Sequence, residues 1–137
     1  MVLVSLSSAK SKARNAGRKQ DVASLIKAFK AINIDTGSYP DTGDNYKCVS
    51  TACMSVSSSY LPDNGVFAKS LLSYISAIPI DPQDSNRTTG GSQTYGYFYK
   101  GGGAPILFWS LEYKADCSPG IVNILGGSTT SCYYLFN

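Results

Sequence analysis

The feature that most limits the fold is a long helical pattern at the start of the chain. From Ser5 to about Ile34 no proline interrupts the run, and Val22, Leu25, Ile26, Phe29 and Ile32 recur at helical spacing as one apolar stripe. Ala9, Ala13 and Ala16 are expected to continue the same side in small residues. Lys10, Lys12, Arg14, Arg18 and Lys19 crowd the first half with no acid among them. Asp35-Thr36-Gly37 ends the helix, because glycine takes the left-handed conformation that follows a last turn. Such a helix is more than twice the ~11–12-residue mean of globular proteins. Its large apolar side chains lie only in the second half. That half is expected to pack on a core, and the first half to project from it.

The segment 37–44, Gly-Ser-Tyr-Pro-Asp-Thr-Gly-Asp, is turn chemistry. Residues 45–60 carry no clear pattern. A second helix is expected from about Asn64 to Ala77, capped by Asp63 or Asn64, with Phe67, Leu71, Leu72, Ile75 and Ile78 on its apolar side. Pro79 stops it, and Ile80-Asp81-Pro82 follows as extended chain, since the residue before a proline avoids the helical region. The remainder reads as strands. Gln93–Tyr99 alternates with Tyr95, Tyr97 and Tyr99 on one face, and Gly101-Gly102-Gly103 makes a turn. Pro105–Tyr113 is a strand, and Ile121–Leu125 and Cys132–Phe136 are shorter ones. The order of helix, helix, then strands argues for an α+β fold, with an antiparallel sheet against the long helix. One domain is expected over residues 1–137: helix at 1–34, connecting region at 35–92, sheet and terminal loop at 93–137.

Composition narrows the function classes. Net charge is +3, too small to argue for nucleic acid across the whole molecule. Histidine is absent, which removes the commonest general base and the usual partner of a Ser or Cys nucleophile. The glycine run 101–103 precedes Ala-Pro and no helix, so it is no phosphate cradle. Catalysis, cofactors and a small-molecule substrate are therefore not expected. Four cysteines, Cys48, Cys53, Cys117 and Cys132, favour disulfides over zinc, because their spacing is wrong for a zinc site. Buried free thiols are the alternative reading. Four cysteines allow three connectivities.

Several pieces in order resemble type IV pilins and the related pseudopilins of type II secretion. They are the run from Leu3 to Ala16 leading through Arg18 and Asp21, then Asp35-Thr36-Gly37-Ser38-Tyr39-Pro40, then Pro79-Ile80-Asp81-Pro82, then Tyr95-Gly96-Tyr97. The resemblance covers roughly residues 3–100, and the order of the pieces is more specific than any one of them. The family's cleavage glycine, its glutamate and its run of about twenty apolar residues, enough for one span, have no match here beyond Val2-Leu3-Val4. The chain is accordingly read as lacking the membrane half of its first helix, with Met1 an added start.

The resemblance implies a structural subunit that polymerises with other copies or with related subunits. It is anchored in the membrane by its N-terminal helix before assembly and displays its head outside the cell. Ala9, Ala13 and Ala16 with Lys10, Lys12, Arg14 and Arg18 are the expected assembly face, and Val22, Leu25, Ile26, Phe29 and Ile32 the core. The resemblance also supports a disulfide-bounded C-terminal region, so Cys117 is paired with Cys132 and Cys48 with Cys53. Other readings are a pseudopilin, or a DNA- or glycan-binding surface module using the basic helix and the tyrosines. For Tyr95, Tyr97 and Tyr99, sheet packing outweighs a sugar-stacking role, since aromatic residues favour strands anyway. Asn86-Arg87-Thr88 matches a glycosylation triplet, and Asp81, Asp84 and Asn86 fit no defensible calcium loop. No metal is expected.

Overall fold

The computed structural model describes residues 2–54, 60–61, 65–82, 84, 87–89, 92–125 and 127–137. Helix α1 (Val2–Thr36) is followed by β1 (Tyr46–Cys48), β2 (Tyr60–Leu61) and α2 (Val66–Ser70). Strands β3 (Thr88–Thr89), β4 (Ser92–Gln93), β5 (Phe98–Lys100), β6 (Ile106–Glu112), β7 (Ile121–Leu125) and β8 (Thr129–Leu135) complete the chain. The fold is α+β. A six-stranded sheet runs in the order β2-β1-β5-β6-β8-β7, and β3 pairs with β4 apart from it. Every pairing in the large sheet is antiparallel except the short parallel pair of β1 and β2.

α1 holds 35 residues, about 52 Å at 1.5 Å per residue. It ends where the sequence places its end: Gly37 has φ 80 and its N–H donates to the Asn33 carbonyl at 2.9 Å. Val22, Leu25, Ile26, Phe29 and Ile32 all enter the core, where they meet Tyr97 just before β5, Tyr99 of β5, and Leu107, Trp109 and Leu111 of β6. Phe29 lies flat on Tyr99 with ring centroids 4.0 Å apart. Burial of these five helix residues contributes on the order of 10 kcal/mol, at roughly 2 kcal/mol each. Apolar burial is thus what holds the second half of α1 to the sheet.

The face that continues this stripe toward the N-terminus is not the alanine face. Ala9, Ala13 and Ala16 are exposed. Arg18 precedes Val22, Leu25 and Phe29 by four, seven and eleven residues, so helical geometry puts it on the stripe. Ser11, seven residues earlier again, is also buried. The expectation of a small-residue continuation is corrected on that geometry.

The second helix is shorter than expected. α2 covers Val66–Ser70 and tightens into a 3-10 turn at Leu71–Ser73. Asp63 and Asn64, the expected caps, lie outside the described residues. Where α2 gives way to the 3-10 turn, Ser70 donates its hydroxyl to the Phe67 carbonyl at 2.6 Å, a side-chain bond that competes with the backbone ladder. Phe67, Leu71 and Ile75 still face the core, while Leu72 is exposed. The expected strand Gln93–Tyr99 is also interrupted. Tyr95 makes an isolated bridge to Met54, and Gly96 turns the chain with φ 100 before β5 begins at Phe98. The Gly96 N–H donates to the Asp81 carboxylate at 2.6 Å, outside any strand ladder. The strands expected at 105–113, 121–125 and 132–136 are present as β6, β7 and β8, and the glycine run 101–103 lies in the connection between β5 and β6.

Both local disulfides are formed, Cys48–Cys53 and Cys117–Cys132. The second ties the segment after β6 to the middle of β8.

Candidate functional site

Beneath the first half of α1, charged groups from four parts of the chain converge. Arg14 and Arg18 come from the helix and Asp81 and Asp84 from the proline-flanked segment after α2. Arg87 precedes β3, and Glu112 ends β6. Three guanidinium groups face three carboxylates. The side chains of Arg18, Arg87, Asp81 and Glu112 are fully buried.

Arg18 is the centre. Its Nε donates to Asp81 at 2.7 Å. One terminal nitrogen donates to Glu112 at 2.8 Å and to the Asn15 amide oxygen at 2.9 Å. The other donates to Asp84 at 2.8 Å and to the Pro82 carbonyl at 3.0 Å. These acceptors match the five donors of a guanidinium. Arg87 mirrors it from the other side, donating to Asp81 at 2.7 Å, Asp84 at 2.8 Å, and the Pro82 and Ser110 carbonyls. Arg14 closes the network with a two-pronged contact to Glu112, both bonds 2.6 Å. The Asn15 amide bonds both the N–H and the carbonyl of Glu112 at 3.0 Å, fixing helix to strand end. The hydrogen bond to Glu112 holds the Arg14 guanidinium above its ordinary pKa; for Arg18 burial pulls the pKa down, but the hydrogen bonds to Asp81 and Glu112 and the charges of Asp81 and Asp84 together outweigh it.

Chemically this arrangement is a clamp. The three carboxylates are turned to arginines and not to an open space for a cation. Among the described residues no group of His, Cys, Asp or Glu is arranged to hold a metal. A buried, fully bonded ion network adds little net stability over apolar packing, but removing one member leaves an unmatched buried charge. The network ties α1 to the end of β6 and to Asp81 and Asp84 of the segment after α2.

Beside the clamp, Asp21 accepts a hydrogen bond from the Tyr97 hydroxyl at 2.8 Å. Burial raises the Asp21 pKa, Tyr97 opposes that shift, and Asp81 adds to it. Burial likewise raises the Tyr97 phenol, with the Asp81 and Asp21 charges adding to the shift.

Of the expected assembly face, Lys10 and Lys12 are exposed along with the three alanines. Arg14 and Arg18 are not part of a free face. They point under the helix, because Glu112, Asp81 and Asp84 lie there. Tyr95, Tyr97 and Tyr99 are buried, and Tyr97 and Tyr99 belong to the core, so none of the three presents a ring for sugar stacking. Asn86 lies outside the described residues, while its neighbour Arg87 is fully buried.

Sequence reasoning did not find Asp81, Asp84, Arg87 and Glu112 as a set. Two signals were present. Arg18 sits on the apolar stripe, and Glu112 is the single charge in the otherwise uncharged strand Ile106–Glu112.

No helix among the described residues is long and apolar enough to cross a membrane. Compared with family models, curated proteins and solved structures, the chain matches none.

Proposed function

We propose that this chain is the head of a structural subunit of a type IV pilin-like surface filament, assembling through its N-terminal helix. The observation that carries the reading is the division of α1. One continuous 35-residue helix has its second half sunk in the head, while the side chains from Leu6 to Lys10 are exposed. A subunit of this kind needs a helix that serves the head at one end and its neighbours at the other. Two further features support it. The Asp35–Pro40 element closes the helix at Gly37, and the Pro79–Pro82 element is bonded to the helix through Asp81 and the Pro82 carbonyl. Both are pieces on which the family resemblance rests. The two disulfides favour a head displayed outside the cell over a pseudopilin of a secretion system, since a surface filament has the greater need of cross-linking.

In this reading the partners are other pilin subunits. The membrane holds the subunit before assembly, DNA or a host surface is a possible contact of the finished filament, and the protein has no catalytic role. The deciding experiment is to read the native coding sequence upstream of Val2. A cleavage glycine, a glutamate early in the mature chain and about twenty apolar residues are expected. An ordinary secretory signal, or a stop codon immediately upstream, would overturn the filament reading and leave a free surface module.

A further inference from the structure

At the end of the sheet nearest the first half of α1, a groove of about 500 Å³ runs between the helix and segment 112–115. Lys12 and Lys19 line it from the helix, and Lys114 lines it from the segment after β6. The one carboxylate in its lining, Glu112, is already matched by Arg14 and Arg18. Lys19 lies 2.9 Å from Asp116, whose side chain is 74% exposed, and such pairs are weak in water. Lys12 and Lys114 are exposed. The groove therefore carries an excess of positive charge.

Apolar groups lie at the same end of the sheet as these lysines. Tyr113 takes a left-handed backbone conformation, φ 57, that bulky residues rarely adopt, and it is 44% exposed in the lining of the same groove. Leu125, 54% exposed, lies at this end of the sheet, since it pairs with Thr130 and Thr130 with Leu111. Lysines sharing a groove with an exposed tyrosine, with an exposed leucine at the same end of the sheet, suit the boundary of a bilayer, where ammonium groups meet phosphates and amphipathic rings sit at headgroup level. Duplex DNA also offers phosphates, but it gives Tyr113 and Leu125 nothing apolar to cover them.

We infer that this end of the head is a docking surface for the anionic headgroups of a lipid bilayer. The contact would orient the subunit at the membrane surface. The inference stands on the groove and not on the filament reading, so either can fail alone.

The test is sedimentation of the chain with vesicles of pure phosphatidylcholine and with vesicles that also contain phosphatidylglycerol. Binding is expected on the anionic vesicles at low salt, rising about fivefold per lysine engaged. It should be lost at about 1 M salt, where the Debye length shrinks to ~3 Å. The double variant K12E/K114E should bind more than tenfold less, while K69E, an exposed lysine on α2, should bind as the parent does. The composition and salt arms use the unaltered chain, so they decide the matter even if the double variant misfolds. Equal binding to both vesicle types, binding that survives high salt, or tighter binding to duplex DNA than to anionic vesicles at the same salt would each overturn the inference.

Discussion

Arg18 and Asp81 meet at 2.7 Å across 63 residues of chain, and neither side chain reaches solvent. The contact joins the middle of the long helix to the segment that follows α2. Arg87 bonds the other oxygen of the same Asp81, so both carboxylate oxygens are engaged by arginine. The helix is thus held from two sides: by apolar burial in its second half and by this clamp where the stripe of large side chains ends.

Replacing Arg18 with alanine leaves Glu112, Asp84 and Asp81 short of a partner inside the protein. Urea denaturation should show a loss of about 3–5 kcal/mol. Arg14→Ala should cost less, about 1–3 kcal/mol, because Arg14 is partly exposed and Glu112 keeps its bond to Arg18. Equal costs for the two variants would contradict the central place of Arg18.

Asp21→Asn probes a carboxylate whose folded pKa is raised, chiefly by burial and against the Tyr97 hydrogen bond. With the folded pKa above the unfolded one, the folded state binds more protons between the two values. Stability then falls as pH rises through that window and levels off above it. The amide oxygen of asparagine can still accept the Tyr97 hydroxyl. The variant should therefore be at least as stable as the parent at neutral pH, and its advantage should shrink as pH drops through the carboxylate range. Thermal unfolding over a pH series checks this, and a parent that gains on the variant with rising pH refutes it.

The two disulfides should differ in weight. Opening Cys117–Cys132, which spans 15 residues, should cost about 3 kcal/mol. Opening Cys48–Cys53, which spans five, should cost about 2 kcal/mol in the same chain-entropy treatment. Paired alanine variants compared by denaturant midpoint test the order. Cys132 is also part of the core, so its loss adds a packing cost in the same direction.

Gly96 should not tolerate alanine. Its φ is 100, and an added Cβ would strike the Cys53 sulfur and the Ala52 carbonyl. Gly96→Ala should lose more than about 1 kcal/mol, whereas Gly103→Ala, with nothing within 4 Å of its added Cβ, should stay within about 0.5 kcal/mol. Differential scanning calorimetry on the two variants gives the comparison directly.

Local periodicity determined much of this fold. The stripe Val22–Ile32 and the glycine after Thr36 define the buried half of the helix and its end. The opposed side-chain sets of 105–113 mark β6, the short apolar run 121–125 marks β7, and the turn chemistry between β5 and β6 is visible as a glycine run. These signals are legible because each depends on residues within a turn or two of one another. The break at Gly96 was not legible, since it depends on the Asp81 carboxylate and the Met54 bridge that other segments bring to this stretch of backbone. The clamp was least legible of all. Arg14 and Arg18 read locally as part of an assembly face, Asp81 and Asp84 as acids that fit no calcium loop, and Arg87 as the middle of a glycosylation triplet. Only the placing of Asp81, Asp84, Arg87 and the end of β6 under the helix brings opposite charges within hydrogen-bond reach and removes water from them. A buried charge is stable only when its partner is present, and that partner lies 63 residues away for Arg18 and Asp81 and 94 for Arg18 and Glu112.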